Sequence, residues 1–481
     1  MTKSVPETES VHKPTHEGES EAHKLFRGRK GHGNHKSGRE DEEVVPGIVH
    51  PGATGVIYCS ERASANGFTD TSSEWSNMGQ GAPEVGHIPD APERNMIIDI
   101  NALGGDAVNE YAPTAGVKEL RSAVANLYNV LHREGKSSKY THENVCIVPG
   151  GRSGMSRVAA VVGDVFCGYQ LPEYTAYSDS LSVFKRLVPI PTVLSPKTKY
   201  ELDMDALEQE IKDKGLSVIV ASNPRNPTGQ TISGEKLNSL VELTRKQHIT
   251  TILDEFYSFY NYEDGQEGQA LSSAKYVDDV NDDNVVIIDG LTKGFRLPGW
   301  RVCWVVGPKE LISAVSQSGS FLDGGASHVL QVAAISMLEP SRVKQDIVSL
   351  QKHFKMKRDY CLKRLEDMGL PVEVSPVATF YLWLNLESLP EPLNNGLTFF
   401  EELLKEKCIC VPGIFFDVNP SHRRDLFHSP CHHYVRLSFG PPLEQLEKGM
   451  DAIERIVKRS KDELSSMGKS FAPLASAIKK D

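Results

Sequence analysis

Lys293 and Arg301 lie in a segment whose residue types suit covalent chemistry and phosphate binding. The segment reads GLTKGFRLPGWR from Gly290 to Arg301, and it follows an apolar run at 285–288 that is typical of a buried strand. Lysine is the side chain that forms a Schiff base with an aldehyde, and arginine is a natural clamp for a phosphate. A lysine on a solvated turn is the alternative, so residues elsewhere in the chain must decide between the two.

An aldehyde and a phosphate carried by one small molecule indicate pyridoxal phosphate, and three other residues have the chemistry that this molecule needs. Asp254 ends a second apolar run, and Tyr257 follows it in the same loop. A carboxylate there can hold a pyridine nitrogen protonated, which makes the ring an electron sink. A phenol and an amide can share the ring's O3′ oxygen, and Asn226 in SNPRNPTG is the amide candidate. Two Asn-Pro pairs before a glycine are also ordinary turn chemistry.

Phosphate binding also needs backbone donors, and a glycine-rich turn with Gly151 and Arg152 provides candidates. The turn lies between a strand-like run at 145–148 and a helical pattern, and free N–H groups at a helix start bind anions. Tyr174, in a loop after another strand-like stretch, offers an aromatic face for stacking on a pyridine ring. A core tyrosine is the alternative for Tyr174.

Alternating apolar runs and helical patterns predict the elements that must position these residues. The strand-like runs are 145–148, 217–221, 249–253, 285–288 and 302–306. Such alternation is typical of an α/β protein with a mostly parallel central sheet, in which loops at the strand ends carry the chemistry. A long helical pattern from Pro340 to Gly369, a helix at 399–404 and a strand at 434–439 predict a second, smaller domain.

Composition excludes several classes of protein. The 481 residues are 39% hydrophobic and carry a formal net charge of −11, so a nucleic acid partner is not expected. The eight cysteines are spread through apolar runs and indicate buried thiols of a reducing compartment. Cys408, Cys410 and the Cys431-His432-His433 run lack a standard zinc spacing, so no metal is expected. No segment has the length of a membrane span or the pattern of a signal peptide, which favours a cytoplasmic protein.

Together these segments resemble the pyridoxal phosphate enzymes of fold type I, the class I/II aminotransferases of the aspartate aminotransferase superfamily. The resemblance covers roughly residues 56–459 and keeps the motifs in the family's order. It implies the roles of a Schiff-base lysine for Lys293, of a pyridinium partner for Asp254 and of O3′ ligands for Tyr257 and Asn226. It further implies the following: Tyr174 stacks on the ring, Arg301 with Gly151 and Arg152 forms the phosphate cup, and Arg436 clamps the substrate α-carboxylate, with Asn226 and Gly81 also binding substrate. Tyr111 is similar to the tyrosine that reaches the phosphate of a neighbouring subunit, which implies a homodimer with shared active sites.

The resemblance implies a large domain with a mostly parallel sheet and a smaller α+β domain. We expect five regions along the chain: a disordered polar tail (1–45), the N-terminal part of the small domain (46–100), the large cofactor-binding domain (101–340), the C-terminal part of the small domain (341–464) and a loose tail (465–481).

The activity that follows is an amino acid:2-oxo acid aminotransferase with ping-pong kinetics. A basic residue at Arg152 favours a dicarboxylic substrate such as aspartate, and an aromatic amino acid is also compatible; solvent or the cofactor phosphate is the other place for this side chain. A lyase of the aminocyclopropane-carboxylate synthase or cysteine-conjugate β-lyase type would use the same residues. A non-catalytic regulator is a third alternative, although the N-terminal tail has no helix-turn-helix pattern.

Two features depart from the family's pattern. Many members have a serine three residues before the lysine as a phosphate ligand, whereas this chain has Gly290. The stretch 419–433 is longer than the family usually needs, and it is interpreted as a surface insertion, with a substrate-facing lid as the alternative.

Overall fold

The computed structural model describes residues 55–94, 96–183 and 187–466. The predicted tail at 1–45 lies outside these residues, as does the predicted tail at 465–481 except for its first two residues, which end the last helix. Among the described residues, no helix is both long and apolar enough to cross a membrane. The cytoplasmic location stays a prediction.

A seven-stranded sheet forms the centre of the molecule. Its strands, in chain order, are β2 (Val145–Val148), β3 (Val165–Leu171), β4 (Leu187–Val193), β5 (Leu216–Ser222), β6 (Thr250–Asp254), β7 (Val285–Gly290) and β8 (Cys303–Val306). The spatial order is β2-β8-β7-β6-β5-β3-β4, and every strand is parallel to the others except β8, which is antiparallel to both neighbours. The carboxyl ends of β2, β3, β5, β6 and β7 therefore meet at one edge of the sheet.

The remaining strands form two smaller sheets. Strands β9 (Tyr381–Asn385), β11 (Val411–Pro412) and β12 (Tyr434–Ser438) form an antiparallel sheet in the order β11-β12-β9. Strand β1 (Ser76–Asn77) pairs in parallel with β10 (Cys408–Ile409), so the N-terminal part of the described chain joins the C-terminal part. This pairing agrees with the proposed assignment of 46–100 and 341–464 to one domain, which stays a prediction.

Helices cover the faces of the sheets. They are α1 (Gly55–Ala65), α2 (Ile100–Leu103), α3 (Lys118–His132), α4 (Gly151–Val161), α5 (Tyr177–Val183), α6 (Met204–Lys214), α7 (Gly234–Gln247), α8 (Lys309–Leu322), α9 (His328–Ala334), α10 (Pro340–Asp367), α11 (Gly396–Lys405) and α12 (Leu443–Ser466). The long α10 begins with Pro340 in its first turn, where a missing N–H costs no hydrogen bond, and it ends just before Gly369 at φ 80°. Both boundaries agree with the prediction from sequence.

The predicted strands are confirmed because their apolar runs are buried on both faces. All four residues of β2 and all six of β7 are buried, as expected for parallel strands covered by helices. Strand β4 is mostly half-buried and lies at the edge of the sheet, where its two prolines leave no ladder hydrogen bond of a central strand unmade. All eight cysteines are buried and unpaired.

Candidate functional site

A cavity of about 510 Å³ lies where the carboxyl ends of the central strands meet. Ten of the eleven site residues predicted from sequence line it: Gly81, Gly151, Arg152, Tyr174, Asn226, Asp254, Tyr257, Lys293, Arg301 and Arg436. Each of the loops after β2, β3, β5, β6 and β7 contributes at least one of them, because parallel strands place these loops at one edge. The volume is in the range of small-molecule and cofactor sites.

The Lys293 amine lies in the cavity, and the side chain is half-buried. Its Nζ donates a hydrogen bond to the Gly81 carbonyl and lies 6.0 Å from the centre of the Tyr257 ring. Burial, and next the nearby Arg436 charge, lower the pKa of Lys293 to about 8, while Asp254 opposes the shift. A fraction of the amine is therefore uncharged near neutral pH, as a nucleophile or general base requires.

Asp254 ends β6 and is half-buried in the wall of the cavity. Its Oδ2 accepts a hydrogen bond from the Tyr177 hydroxyl at 3.2 Å, and its Oδ1 accepts one from the Phe256 N–H at 3.4 Å. Burial is the main cause that raises the pKa of Asp254 to about 7, and the charge of Glu173 adds to it. The carboxyl group thus has only neutral donors at these two oxygens, and a cation placed next to it would stabilise its charged form.

Arg436 is fully buried in the middle of β12, and its guanidinium donates hydrogen bonds to two separate loops. Nη1 donates to Asn226 Oδ1 at 3.1 Å, and Nη2 donates to the Gly79 carbonyl at 2.9 Å. Its Nε is buried without a hydrogen-bond partner. The guanidinium lies 4.0 Å above the Tyr381 ring. A buried guanidinium with an unused N–H is suited to accept an anionic ligand.

One side of the cavity is formed by the turn before α4 and by Arg301. Gly150 has φ 102°, and a Cβ there would come within 1.7 Å of Arg301 Nη2, so the guanidinium packs directly on the glycine backbone. A Cβ on Gly151 would come within 2.4 Å of the Phe256 ring. Gly150 is needed for the close approach of Arg301, and Gly151 for that of Phe256. Backbone donors at the start of α4 therefore lie next to a guanidinium.

Gly81 belongs to a segment, 79–86, that is tied to the cavity and to the long helix. Arg296 Nη1 donates to the carbonyls of Glu84 and Gly86, and Lys357 Nζ on α10 donates to Glu84 Oε1 at 2.6 Å. The Gly81 and Gly79 carbonyls in turn accept hydrogen bonds from Lys293 and Arg436 in the cavity. The segment is therefore held on both sides.

Tyr111 is the predicted residue that the cavity does not include. Its side chain is 95% exposed in the single chain. The prediction placed it at a neighbouring subunit's site, so a position outside this chain's cavity leaves that prediction untested.

The two departures from the family's pattern have physical explanations. Gly290 pairs with Cys303 of β8, and a Cβ on Gly290 would come within 2.5 Å of both Cys303 Cα and Sγ. Position 290 therefore has no room for any side chain. The stretch 419–433 packs on α5, where the Asn419 and Ser421 N–H groups donate to Ser178 and Ser182 Oγ at 3.0 and 2.7 Å. None of its described residues lines the cavity, which favours the surface insertion over the lid.

Sequence reasoning did not predict the other residues that line the cavity, among them Tyr177, Thr292 and Tyr381. Tyr177 lies three residues after Tyr174, so its place in the same loop was an available signal. Thr292, whose hydroxyl is 3.2 Å from Cys303 Sγ, directly precedes the lysine. Tyr381 had no local signal, because its contact with the cavity depends on how β9 pairs with β12.

The cysteines considered as metal ligands are buried, Cys408 in β10 and Cys410 between β10 and β11. Within the described parts of the chain, no group of three or more His, Cys, Asp or Glu side chains is arranged to hold a metal ion.

Comparison with known proteins agrees with this arrangement. The family described as aminotransferase class I and II matches residues 73–453. The chain is 24% identical over 390 residues to aromatic-amino-acid aminotransferase 2 of Thermococcus litoralis, covering 80% of this chain and 92% of that relative. It is 25% identical to an aspartate aminotransferase of Pyrococcus horikoshii, covering 73% and 84% respectively.

A solved structure has the same fold. Aspartate aminotransferase from Thermus thermophilus with maleate superimposes with a TM-score of 0.68 at 21% identity, covering 84% of this chain and 97% of that one. The match to the family over most of the chain confirms the resemblance seen in the sequence and the fold type I architecture. The chain belongs to the class I and II aminotransferases and is a pyridoxal phosphate-dependent enzyme of that family.

Proposed function

We propose that this protein transfers an amino group from an amino acid to a 2-oxo acid by ping-pong kinetics, with Lys293 as the residue that carries the cofactor. The observation behind this proposal is that Lys293, Asp254 and Arg436 line one cavity, where Arg436 is buried and the other two are half-buried. A base, a carboxyl group and a carboxylate clamp are the three groups that amino transfer from an amino acid needs.

The residues present suit pyridoxal phosphate. Arg301 and the glycine turn before α4 would hold its phosphate. The Arg301 guanidinium packs directly on Gly150 and so lies next to the backbone N–H groups at the start of α4, which can bind an anion. Asp254 would face the pyridine nitrogen, and Tyr174 would stack on the ring. When bound, the cofactor supplies an aldehyde that links to a lysine and a ring that withdraws electrons from the substrate Cα.

The chain's own side chains would then divide the work. Arg436 binds the substrate α-carboxylate and so fixes the orientation of the Cα–H bond. The Lys293 amine takes the proton from Cα, and its lowered pKa of about 8 keeps enough of it uncharged for this step. Asn226 has its Oδ1 occupied by Arg436, which leaves its amide nitrogen as a donor toward the cavity.

Covalent labelling tests the role of Lys293. Protein incubated with pyridoxal phosphate and then reduced with borohydride should carry one label, located by mass spectrometry on Lys293. Lys293→Ala should lose the label, and Lys309→Ala, an exposed lysine at the start of α8, should retain it. A wild-type protein with no visible absorbance band, or a label on another lysine, would contradict the proposal.

Single half-reactions test ping-pong amino transfer. Mixed with one amino acid and no acceptor, the loaded protein should release one equivalent of 2-oxo acid per site and then stop until a 2-oxo acid is added. Continuous release of ammonia without an acceptor would instead indicate the lyase alternative. No release with any amino acid would favour a non-catalytic protein.

We infer that Arg152 selects substrates with a second carboxylate. Its guanidinium lines the cavity and donates to the Tyr174 hydroxyl at 3.3 and 3.4 Å, a neutral acceptor that a substrate carboxylate would replace favourably. The names of the aspartate aminotransferase relatives are compatible with this inference. Arg152→Ala should lower kcat/KM for aspartate by about 30-fold while changing that for alanine or tyrosine little. An equal loss on all three substrates would assign Arg152 to the phosphate.

We also propose a homodimer in which Tyr111 reaches the partner's phosphate site. Its 95% exposure in the single chain supports a role outside this chain's own cavity. Sedimentation should give the mass of a dimer, and Tyr111→Phe should weaken cofactor retention. Mixed dimers of Tyr111→Phe and Lys293→Ala chains should contain one site that lacks both changes; a mixture with no more activity than its parents would exclude the shared site.

A further inference from the structure

Tyr381 is placed between two parts of the cavity that belong to different elements. It begins β9, where it pairs with Ser438, while Arg436 pairs with Trp383 two residues further along. Residues two apart on a strand face the same side, so the Tyr381 ring and the Arg436 side chain are diagonal neighbours on one face of the small sheet. The ring is fully buried.

The Tyr381 hydroxyl contacts the loop after β6. Its oxygen lies 2.8 Å from the Tyr257 oxygen, and the two rings are 5.5 Å apart in an edge-on arrangement. Each phenol has one proton, so in this pair one hydroxyl donates and the other accepts. If Tyr381 donates, the Tyr257 proton remains available to a ligand in the cavity.

The Tyr381 ring fixes the Arg436 guanidinium from one face. The distance from the guanidinium carbon to the Tyr381 ring centre is 4.0 Å, and the Phe416 ring lies on the same guanidinium at 5.1 Å. Hydrogen bonds from Nη1 and Nη2 fix the edge of the group, while Nε remains buried without a partner. Ring contact and edge contacts together leave the guanidinium little freedom to rotate.

We propose that Tyr381 is a positioning residue that serves both halves of the site: its hydroxyl directs the Tyr257 proton into the cavity, and its ring holds Arg436 in the plane that binds a carboxylate. This role rests on the proposed function, in which Tyr257 donates to the cofactor's ring oxygen and Arg436 binds the substrate. The two contributions come from different atoms of one side chain, so different substitutions separate them.

Two substitutions and a matched control test the role without relying on turnover. Tyr381→Phe removes the hydroxyl and keeps the ring, whereas Tyr381→Leu removes both. Tyr262→Phe is the control, because its hydroxyl is also buried and donates to Thr379 O at 2.6 Å but does not line the cavity. Two quantities are measured on pyridoxal phosphate-loaded protein. The first is the pH midpoint, at which the change of the visible absorbance band with pH is half complete. The second is the dissociation constant of 2-methylalanine, which has an α-carboxylate but no Cα–H.

Tyr381→Phe should raise the pH midpoint by roughly half a unit, because Tyr257 becomes a weaker donor when its own donor is lost. Its dissociation constant for 2-methylalanine should stay within about twofold, whereas Tyr381→Leu should raise that constant about fivefold through loss of the ring contact. Tyr262→Phe should change neither quantity.

Two results would overturn the role: an unshifted pH midpoint in Tyr381→Phe, or equal 2-methylalanine binding by the Phe and Leu variants. Tyr381→Phe keeps the shape of the core, so a failure of the Leu variant to fold leaves the first test decisive. A wild-type protein with no visible band would remove the proposed function itself, and a wild-type band with an unshifted Tyr381→Phe midpoint would remove only this role.

Discussion

The Tyr177 hydroxyl donates to Asp254 Oδ2 at 3.2 Å and so connects helix α5 with the end of β6. Two backbone N–H groups of the 419–433 stretch donate hydrogen bonds to Ser178 and Ser182 on helix α5. The 419–433 stretch thus supports the helix whose Tyr177 contacts the carboxyl group of the site. Burial is the main cause that raises the pKa of Asp254 to about 7, and the hydrogen bond from Tyr177 opposes this shift only in part.

Two carboxyl groups should contribute less to the stability of the cofactor-free protein as pH rises from about 4 to 7. Burial raises the pKa of Asp254 to about 7 and that of Asp289 well above its usual range, whereas unfolded aspartate titrates near 3.9. At these two groups the folded state binds more protons than the unfolded state, so their contribution to the free energy of unfolding falls with rising pH. Asp289→Asn removes one such group. The free energy of unfolding of this variant, compared with that of wild type, should therefore increase by about 1 kcal/mol for each unit by which pH rises.

Urea unfolding at several pH values measures this difference. Asp205→Asn, an exposed aspartate in α6, is the control and should follow the wild type. A difference between Asp289→Asn and wild type that stays constant with pH would contradict the expectation.

Lys357→Met should destabilise the fold by about 3 kcal/mol. The Lys357 amine is fully buried and donates to Glu84 Oε1 at 2.6 Å and to the Gly440 carbonyl at 3.0 Å, so its removal leaves a largely buried carboxylate with His353 as its remaining recorded partner. Lys352→Met on the same helix removes an exposed pair with Asp90 and should leave the unfolding midpoint unchanged. Similar midpoints for the two variants would show that the buried pair contributes little.

Arg436→Gln should reduce kcat/KM by about 100-fold or more and leave the visible band of the bound cofactor in place. The reason is that Arg436 is proposed to bind the substrate carboxylate, whereas Lys293, Arg301 and the glycine turn are proposed to hold the cofactor. Arg62→Gln, which breaks a partly exposed pair with Glu401, serves as the control for loss of an arginine. Loss of the cofactor from Arg436→Gln would assign this residue to the cofactor site instead.

Gly290→Ser should destabilise the protein by about 1–3 kcal/mol instead of adding a phosphate ligand. Its Cβ would come within 2.5 Å of the Cys303 Cα, a backbone atom that cannot move without shifting β8. Gly163→Ser is the control, because nothing lies within 4 Å of a Cβ placed there. Thermal unfolding and the dissociation constant of pyridoxal phosphate measure the two effects. A Gly290→Ser protein of normal stability with tighter cofactor binding would show that the strand accommodates the side chain.

The sequence by itself identified the cofactor chemistry and ten of the residues that line the cavity. This was possible because each of those residues belongs to a local pattern, such as Asp254 at the end of an apolar run or Lys293 before a Gly/Pro turn. Parallel strands then place the ends of such runs at one edge without further information. The mostly parallel sheet and long helix α10 were also predictable, since burial on both faces and a helical period appear in neighbouring residues.

The side-chain contacts and the shifted pKa values of the site could be found only from the tertiary structure. The pairs Tyr177–Asp254 and Tyr257–Tyr381 join residues 77 and 124 positions apart, and neither spacing has a pattern in the sequence. The packing of Gly290 on Cys303 depends on the register of β7 with β8, which short apolar runs do not specify. The shifted pKa values of Lys293 and Asp254 follow from burial, which is a property of the folded chain and has no local equivalent.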